Sequence, residues 1–404
     1  MAKTGTADLA GSVGAIETQY LDLKAPVRLD CGRELQPVRV AYETYGSLSP
    51  ARDNVILVCH ALSGDAHAAG VSRTASAGST RDGFAAEERD GLAGRALGWW
   101  DGMIGPGKAF DTDRYYVVST NLLGGCRGTT GPCSTDPATG RPYGPDFPVL
   151  TVADMVRTER GLLDELGIER LAAVAGGSLG GMQAFEWAIL YPDQVDAVVA
   201  IASTHALHPQ GVAWNAIARE AIMRDPAWQA GRYYGTGRRP DAGMGVARMV
   251  GHVTYLSAMA LHDKFGRRLQ SADDIRYTIA EPEFEVESYL HHQADSFVKR
   301  FDANTYLYLS RALTYFDLAR QHGDGSLGRA LESVAARTLL IAFSSDWLYP
   351  PSASQEIAQA LSALGKPVEC HVIEAPYGHD CFLLEEERQT PVIRRFLAEG
   401  GARR

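Results

Sequence analysis

Leu171-Ala-Ala-Val-Ala-Gly-Gly-Ser-Leu-Gly-Gly-Met-Gln-Ala-Phe-Glu-Trp-Ala-Ile-Leu190 is the stretch that decides the fold. Leu171 to Ala175 is a short apolar run of the kind a buried parallel strand needs, and Gly181 to Leu190 has helical composition and stops before Pro192. Between them, Gly176-Gly-Ser-Leu-Gly180 fits the pattern G-x-S-x-G. Small residues on either side of the serine let the chain turn sharply from strand to helix and leave the hydroxyl exposed. With 42 glycines in 404 residues the five-residue pattern says little alone, so its weight comes from the strand before it and the helix after it. Ser178 is therefore expected to be a nucleophile, against the plainer reading of an inert serine in a glycine-rich turn.

Outward from this point, strand-like runs recur at Val38 to Tyr42, Asn54 to Cys59, Tyr115 to Ser119, Asp196 to Ala202, Thr338 to Phe343 and Val368 to Ile373. Short β-branched runs bounded by Gly, Pro and Asp predict an α/β fold, with a mostly parallel central sheet flanked by helices. From about 207 to 330 the strand-like runs give way to helical stretches, Trp214 to Arg224, Gly245 to Ala260 and Asn304 to Ala319. This predicts a helical lid inserted over the carboxyl ends of the strands, where α/β sites form. The expected division is a core in two parts, 1–206 and 331–404, around a lid at 207–330. A Gly/Ala/Ser/Arg/Asp-rich stretch at about 71–98 reads as a mobile surface loop.

Hydrophobic residues make up 45% and charged residues 22%, an ordinary globular balance. The net charge of -10 argues against general nucleic-acid or membrane-surface binding, without forbidding an anionic cofactor in a locally basic pocket. The six cysteines, at 31, 59, 126, 133, 370 and 381, are scattered and read as reduced thiols. Cys126 and Cys133 lie near each other in sequence, but no histidine cluster accompanies them, so neither a metal nor a redox site is expected. The N-terminus lacks an apolar signal-like core, and no apolar run approaches membrane-spanning length, which predicts a soluble, cytoplasmic protein.

A serine hydroxyl is a weak nucleophile at neutral pH; it needs a base, and the base needs an orienting acid. In α/β hydrolases these follow in the order Ser, Asp or Glu, His. Asp346 comes just after the Thr338–Phe343 run, and His379 follows Gly378 just after the last strand, both at predicted carboxyl edges. The oxyanion formed in acyl transfer needs N–H donors. Leu179, directly after the nucleophile, should supply one, and Leu62, in the loop after the Asn54–Cys59 strand, the other. His60 and His67 in that loop match no usual zinc spacing and read as structural.

The chain resembles the homoserine O-acyltransferases over roughly residues 20 to 395. The resemblance rests on Cys59-His-Ala-Leu-Ser-Gly-Asp-Ala-His67, Gly98-Trp-Trp-Asp-Gly-Met-Ile-Gly-Pro-Gly107, Asn121-Leu-Leu-Gly-Gly-Cys126, Gly176-Gly-Ser-Leu-Gly-Gly-Met-Gln183 and Gly378-His-Asp380. It implies an α/β-hydrolase fold and two-step transfer of an acyl group from acyl-CoA to the L-homoserine hydroxyl in methionine biosynthesis. It also implies a homodimer and no tightly bound cofactor, acetyl-CoA being a co-substrate. By resemblance, Ser178 attacks the thioester, His379 moves protons and Asp346 orients His379, while Arg219 and Asp380 hold the amino acid. A guanidinium gripping a carboxylate and a carboxylate facing an ammonium suit those last two roles. Succinyl-transferring relatives tend to carry arginine where this chain has Leu348, which points to acetyl-CoA over succinyl-CoA. An esterase or thioesterase with the same triad, and a non-catalytic binding protein of this fold, are the competing classes. The 71–98 stretch is longer than the usual connection in the family.

Overall fold

The computed structural model describes residues 11–73, 97–270 and 274–401. Val55–Cys59, Ala173–Gly177 and Ala197–Ile201 bury every residue, as strands covered on both faces must. They form the centre of an eight-stranded sheet. In chain order its strands are β1 (Gln19–Asp22), β2 (Arg39–Tyr45), β3 (Val55–Cys59), β4 (Tyr116–Thr120), β5 (Ala173–Gly177), β6 (Ala197–Ile201), β7 (Arg337–Phe343) and β8 (Val368–Ile373). Across the sheet they run β1-β2-β4-β3-β5-β6-β7-β8. The pairs β1/β2 and β2/β4 are antiparallel and all others parallel.

From β3 the chain goes to β4 on one side and returns to β5 on the other. That reversal opens a crevice at the carboxyl ends of β3 and β5, where ligands bind in open α/β sheets. Alternate residues feed two cores. Leu57, Val174, Val198 and Leu340 face one, and Ile56, Ala175, Val199 and Ile341 the other. The first is covered by α1 (Val152–Glu165) and α2 (Leu179–Leu190), the second by the terminal helix Glu386–Gly401 through Ile393, Phe396 and Leu397.

Between β6 and β7 come α3 (Pro209–Arg224), α4 (Asp241–Tyr255), α5 (Ala258–Phe265), α6 (Glu285–Arg300) and α7 (Ala303–Tyr315). Among the described residues of this segment there are isolated bridges but no strand. The helical run expected over 245–260 is in fact broken. Leu256 is extended, and the Ser257 hydroxyl caps a new helix by accepting the Ala260 N–H at 2.9 Å. Residues 74–96 of the expected surface loop lie outside the described residues. Among those described, no helix is long and apolar enough to cross a membrane.

One buried acid ties the layers together. Glu159 on α1 accepts from Trp187 Nε1 on α2 at 2.6 Å and from Thr120 on β4 at 3.1 Å. Burial pushes its pKa up from 4.5 to about 7, against the pull of those donors. The folded protein therefore holds this proton where the unfolded chain releases it, and stability declines as pH rises from about 4.5 to about 7. Denaturation at pH 5 and pH 8 should show Glu159→Gln losing less stability across that interval than the parent. Equal losses would remove Glu159 as the source.

Candidate active site

The chain leaves β5 and enters α2 at Ser178, whose φ of 57° and ψ of -121° lie where a side chain is strained. Its N–H is fixed by the Ile201 carbonyl of β6 at 2.9 Å. The turn closes because Gly180 lies against β3: a Cβ there would stand 2.1 Å from the Cys59 carbonyl oxygen. No residue but glycine fits so close an approach. Ser178 is nonetheless only 9% exposed, because residues of α3, α4 and α7 lie over the turn and the serine faces a small cavity.

The structure brings Asp346 and His379 together from the ends of β7 and β8. His379 Nδ1 is 2.8 Å from Asp346 Oδ2, and both residues are buried. The other carboxylate oxygen accepts the N–H groups of Leu348 and Tyr349 at 3.0 and 2.9 Å, so three donors hold Asp346. Gly378, at φ +74°, lets the loop pass Ser257, and its N–H is held by Ser345 Oγ at 2.9 Å. Tyr349 joins the two halves of the site. Its ring lies 4.9 Å from that of His379, and its phenol lies near the Ser178 side chain.

Leu179 opens α2, so its N–H has no acceptor within the helix. Leu62, in the loop after β3, lines the cavity with Ser178. Gln183 of α2 bonds both the His60 and Leu179 carbonyls, at 3.2 and 3.1 Å, and so spaces the two expected oxyanion donors. His60 and His67 have internal partners. His60 Nε2 accepts the Leu122 N–H at 3.2 Å, and His67 Nδ1 lies 2.9 Å from Glu43.

The cavity beside Ser178 holds about 50 Å³ and is walled by Leu62, Trp214, Tyr255, Tyr306, Leu348 and Tyr349, among others. Leu348 presents an apolar wall there, while its carbonyl lies 2.8 Å from His208 Nε2 of the lid. Arg219 and Asp380 sit behind the wall rather than in it. Arg219 is buried on α3, donating to Ser310 O at 3.2 Å and Thr314 Oγ1 at 3.0 Å. Burial, together with nearby Arg311, pulls its pKa below the usual value. Asp380 is buried too, its pKa pushed up to about 6 mainly by desolvation, with His379 and Arg248 opposing and Asp346 reinforcing. Tyr255 lies in the field of Asp380, and Tyr306 in that of both Arg219 and Arg248.

Arg248 and Tyr349 were missed from sequence. A lone arginine within the apolar run 245–260 was the available signal for Arg248, which is buried on α4 with its guanidinium 4.4 Å over the Phe297 ring. Tyr349, one residue past Leu348, carried no distinguishing signal. Cys126 and Cys133 line a separate cleft, their thiols pushed up to about 12 and about 11 by burial.

The geometry can be set beside known proteins. A family model of the α/β hydrolase fold matches residues 54–386. A homoserine O-acetyltransferase of Methanococcus vannielii is 48% identical over 389 residues, 96% of this chain and 74% of that one. A homoserine O-succinyltransferase of Alkalilimnicola ehrlichii is 50% identical over 389 residues, 96% of each chain. The crystal structure of homoserine O-acetyltransferase from Bacillus anthracis superposes with a TM-score of 0.83 at 31% identity, covering 95% of this chain and 98% of that one. That of esterase E22 gives 0.80 at 32%, covering 95% and 100%. A serine turn at the sheet's switch point, a His–Asp pair beside it and likeness along nearly the whole chain agree: the chain belongs to the α/β hydrolases and, among them, to the homoserine O-acyltransferase family.

Proposed function

We propose that this protein transfers an acetyl group from acetyl-CoA to the hydroxyl of L-homoserine through an acyl-serine intermediate, giving O-acetyl-L-homoserine for methionine biosynthesis. The observation that carries the reading is the His379–Asp346 pair, 2.8 Å apart, beside a serine held at positive φ. Ser178 Oγ attacks the thioester carbonyl as His379 takes its proton; the N–H groups of Leu179 and Leu62 receive the oxyanion. The tetrahedral species expels CoA, which leaves with that proton. The homoserine hydroxyl then gives its proton to His379 and attacks the acyl carbon, and collapse returns the proton to Ser178. Covalent catalysis of this kind calls on no resident cofactor.

Arg219 is the proposed partner of the homoserine carboxylate and Asp380 of its ammonium. Their burial strengthens both contacts, because little water competes. Reaching them from the cavity requires Tyr255 and Tyr306, or the lid itself, to give way. The relatives carry both acetyl and succinyl names, so likeness does not choose the donor. Leu348 on the cavity wall favours acetyl, since a succinyl carboxylate there would meet an apolar side chain.

We extend the proposal to the segment 207–330 as a lid domain, and to a homodimer through its outer face, where Val246, Met259 and Tyr315 are exposed. The six cysteines, all unpaired, favour a reducing compartment such as the cytoplasm.

The likeness to an esterase makes hydrolysis the reading to exclude. Thiol release from acetyl-CoA should depend on L-homoserine and exceed that from succinyl-CoA; equal release without homoserine would make the protein a thioesterase. Ser178→Ala should abolish release in every case. The ammonium contact also sets a pH dependence. Asp380 is ionised above about pH 6, so the KM for homoserine should be roughly tenfold higher at pH 5 than at pH 7. Asp380→Asn should hold that KM high and flat, and an unchanged profile would remove Asp380 from the substrate site.

A further inference from the structure

We propose that Ser203, two residues past the end of β6, is a positioning residue for the nucleophile turn: its hydroxyl fixes the peptide between Ser178 and Leu179 and so aims the Leu179 N–H at the acyl oxygen. The inference rests on the acyl-serine reading above.

A residue at φ 57° and ψ -121°, as Ser178 is, stays there only where its surroundings over-determine it. Its ψ is also the torsion that turns the peptide carrying the Leu179 N–H. That N–H opens α2 with no acceptor inside the helix, so helix formation alone does not secure it. In a planar trans peptide the carbonyl and the following N–H point in opposite directions. Whatever holds the Ser178 carbonyl therefore sets where the Leu179 N–H points.

Three donors reach that carbonyl. The Gly181 and Met182 N–H groups come from the first turn of α2, at 3.0 and 3.3 Å. The Ser203 hydroxyl donates at 2.9 Å, the shortest of the three, and it comes from a different part of the sheet. Ser203 is buried, so little water competes for the bond. A donor on the carbonyl also polarises the peptide, which makes its N–H a stronger donor to an oxyanion.

The end of β6 is shaped to make this contact. Gly177 pairs with Ile201, so the next residues, Ser178 and Ala202, leave neighbouring strands side by side. Ala202 has a φ of 46°, a second strained position, and its N–H is held by Ile341 O of β7 at 2.7 Å. The residues flanking Ala202 then grip the nucleophile at both ends. Ile201 O accepts the Ser178 N–H at 2.9 Å, and Ser203 donates to Ser178 O. Gly181 leaves room for the approach, since a Cβ there would stand 2.6 Å from Ser203 Cβ.

The test uses the full chain and acetyl-CoA labelled with carbon-13 at the carbonyl. Without homoserine this donor leaves an acetyl group on Ser178, and isotope-edited infrared difference spectra read its ester carbonyl stretch, which hydrogen bonds from the oxyanion donors lower. Ser203→Ala should move that band up toward the free-ester position. It should also lower kcat about tenfold, less than the roughly hundredfold that follows outright loss of an oxyanion donor, with both KM values within about twofold of the parent. Ser203→Cys fills the same space with a weak donor and should show the same shift and the same fall, so that neither a cavity nor a poorly folded alanine variant accounts for them. A band that stays in place, an unchanged kcat, or a cysteine variant with the parent's rate and band overturns the role of Ser203 and leaves the transferase reading standing. A parent protein that takes up no acetyl group from acetyl-CoA overturns both.

Discussion

The approach of α2 to β3 at Gly180 is the contact on which the site is built. A glycine pressed on the Cys59 carbonyl brings the first turn of the helix to the end of the neighbouring strand, and that turn begins at Ser178. Two consequences follow from one steric fact. The serine is forced to positive φ, and the Leu179 N–H is delivered to the same crevice as the loop after β3. Gln183, one turn further on, then bonds that loop at the His60 carbonyl. The strain at Ser178, of order 1–3 kcal/mol, is offset by a turn in which nearly every neighbour is buried.

Each loop of the site is also tied to the helical segment between β6 and β7. Trp347, beside Asp346, donates to Leu256 O at 2.9 Å, and its ring meets that of Trp214 edge-on. His208 lies against the Leu348 carbonyl, Ser257 against that of Pro376, and Arg300 against that of Ser63. That segment therefore helps set the positions of the Asp346, His379 and Leu62 loops besides covering them. This explains why a serine expected to be exposed is found enclosed, and why the tyrosines of α4 and α7 line its cavity while Arg219 and Asp380 do not.

The serine turn and the places of Asp346 and His379 at strand ends were legible because each is local: a glycine pattern between a strand and a helix, and two polar residues directly after apolar runs. Features that exist only after packing were not. The edge strand Gln19–Asp22 is mostly exposed and lacks alternation, so nothing marks it beforehand. Helix Glu285–Arg300 buries only Ala294 and Phe297, too few apolar positions to announce itself. The 256–257 break is set by a serine cap inside an apolar run, where periodicity alone reads through. Arg248 and Tyr349 owe their importance to what surrounds them in three dimensions, and the depth of Arg219 and Asp380 behind the cavity wall belongs to the same category.

The order of the sheet also sets how far apart in the chain the parts of the site are made. Ser178 comes with β5, but Asp346 and His379 follow only with β7 and β8, after the helical segment between β6 and β7. Both late strands add to the sheet beyond β6 and carry their loops to a crevice already shaped by β3 and β5. Ser178 and the His379–Asp346 pair therefore meet only through pieces of sheet that lie far apart in sequence, with the helical segment between β6 and β7 looped out from between them.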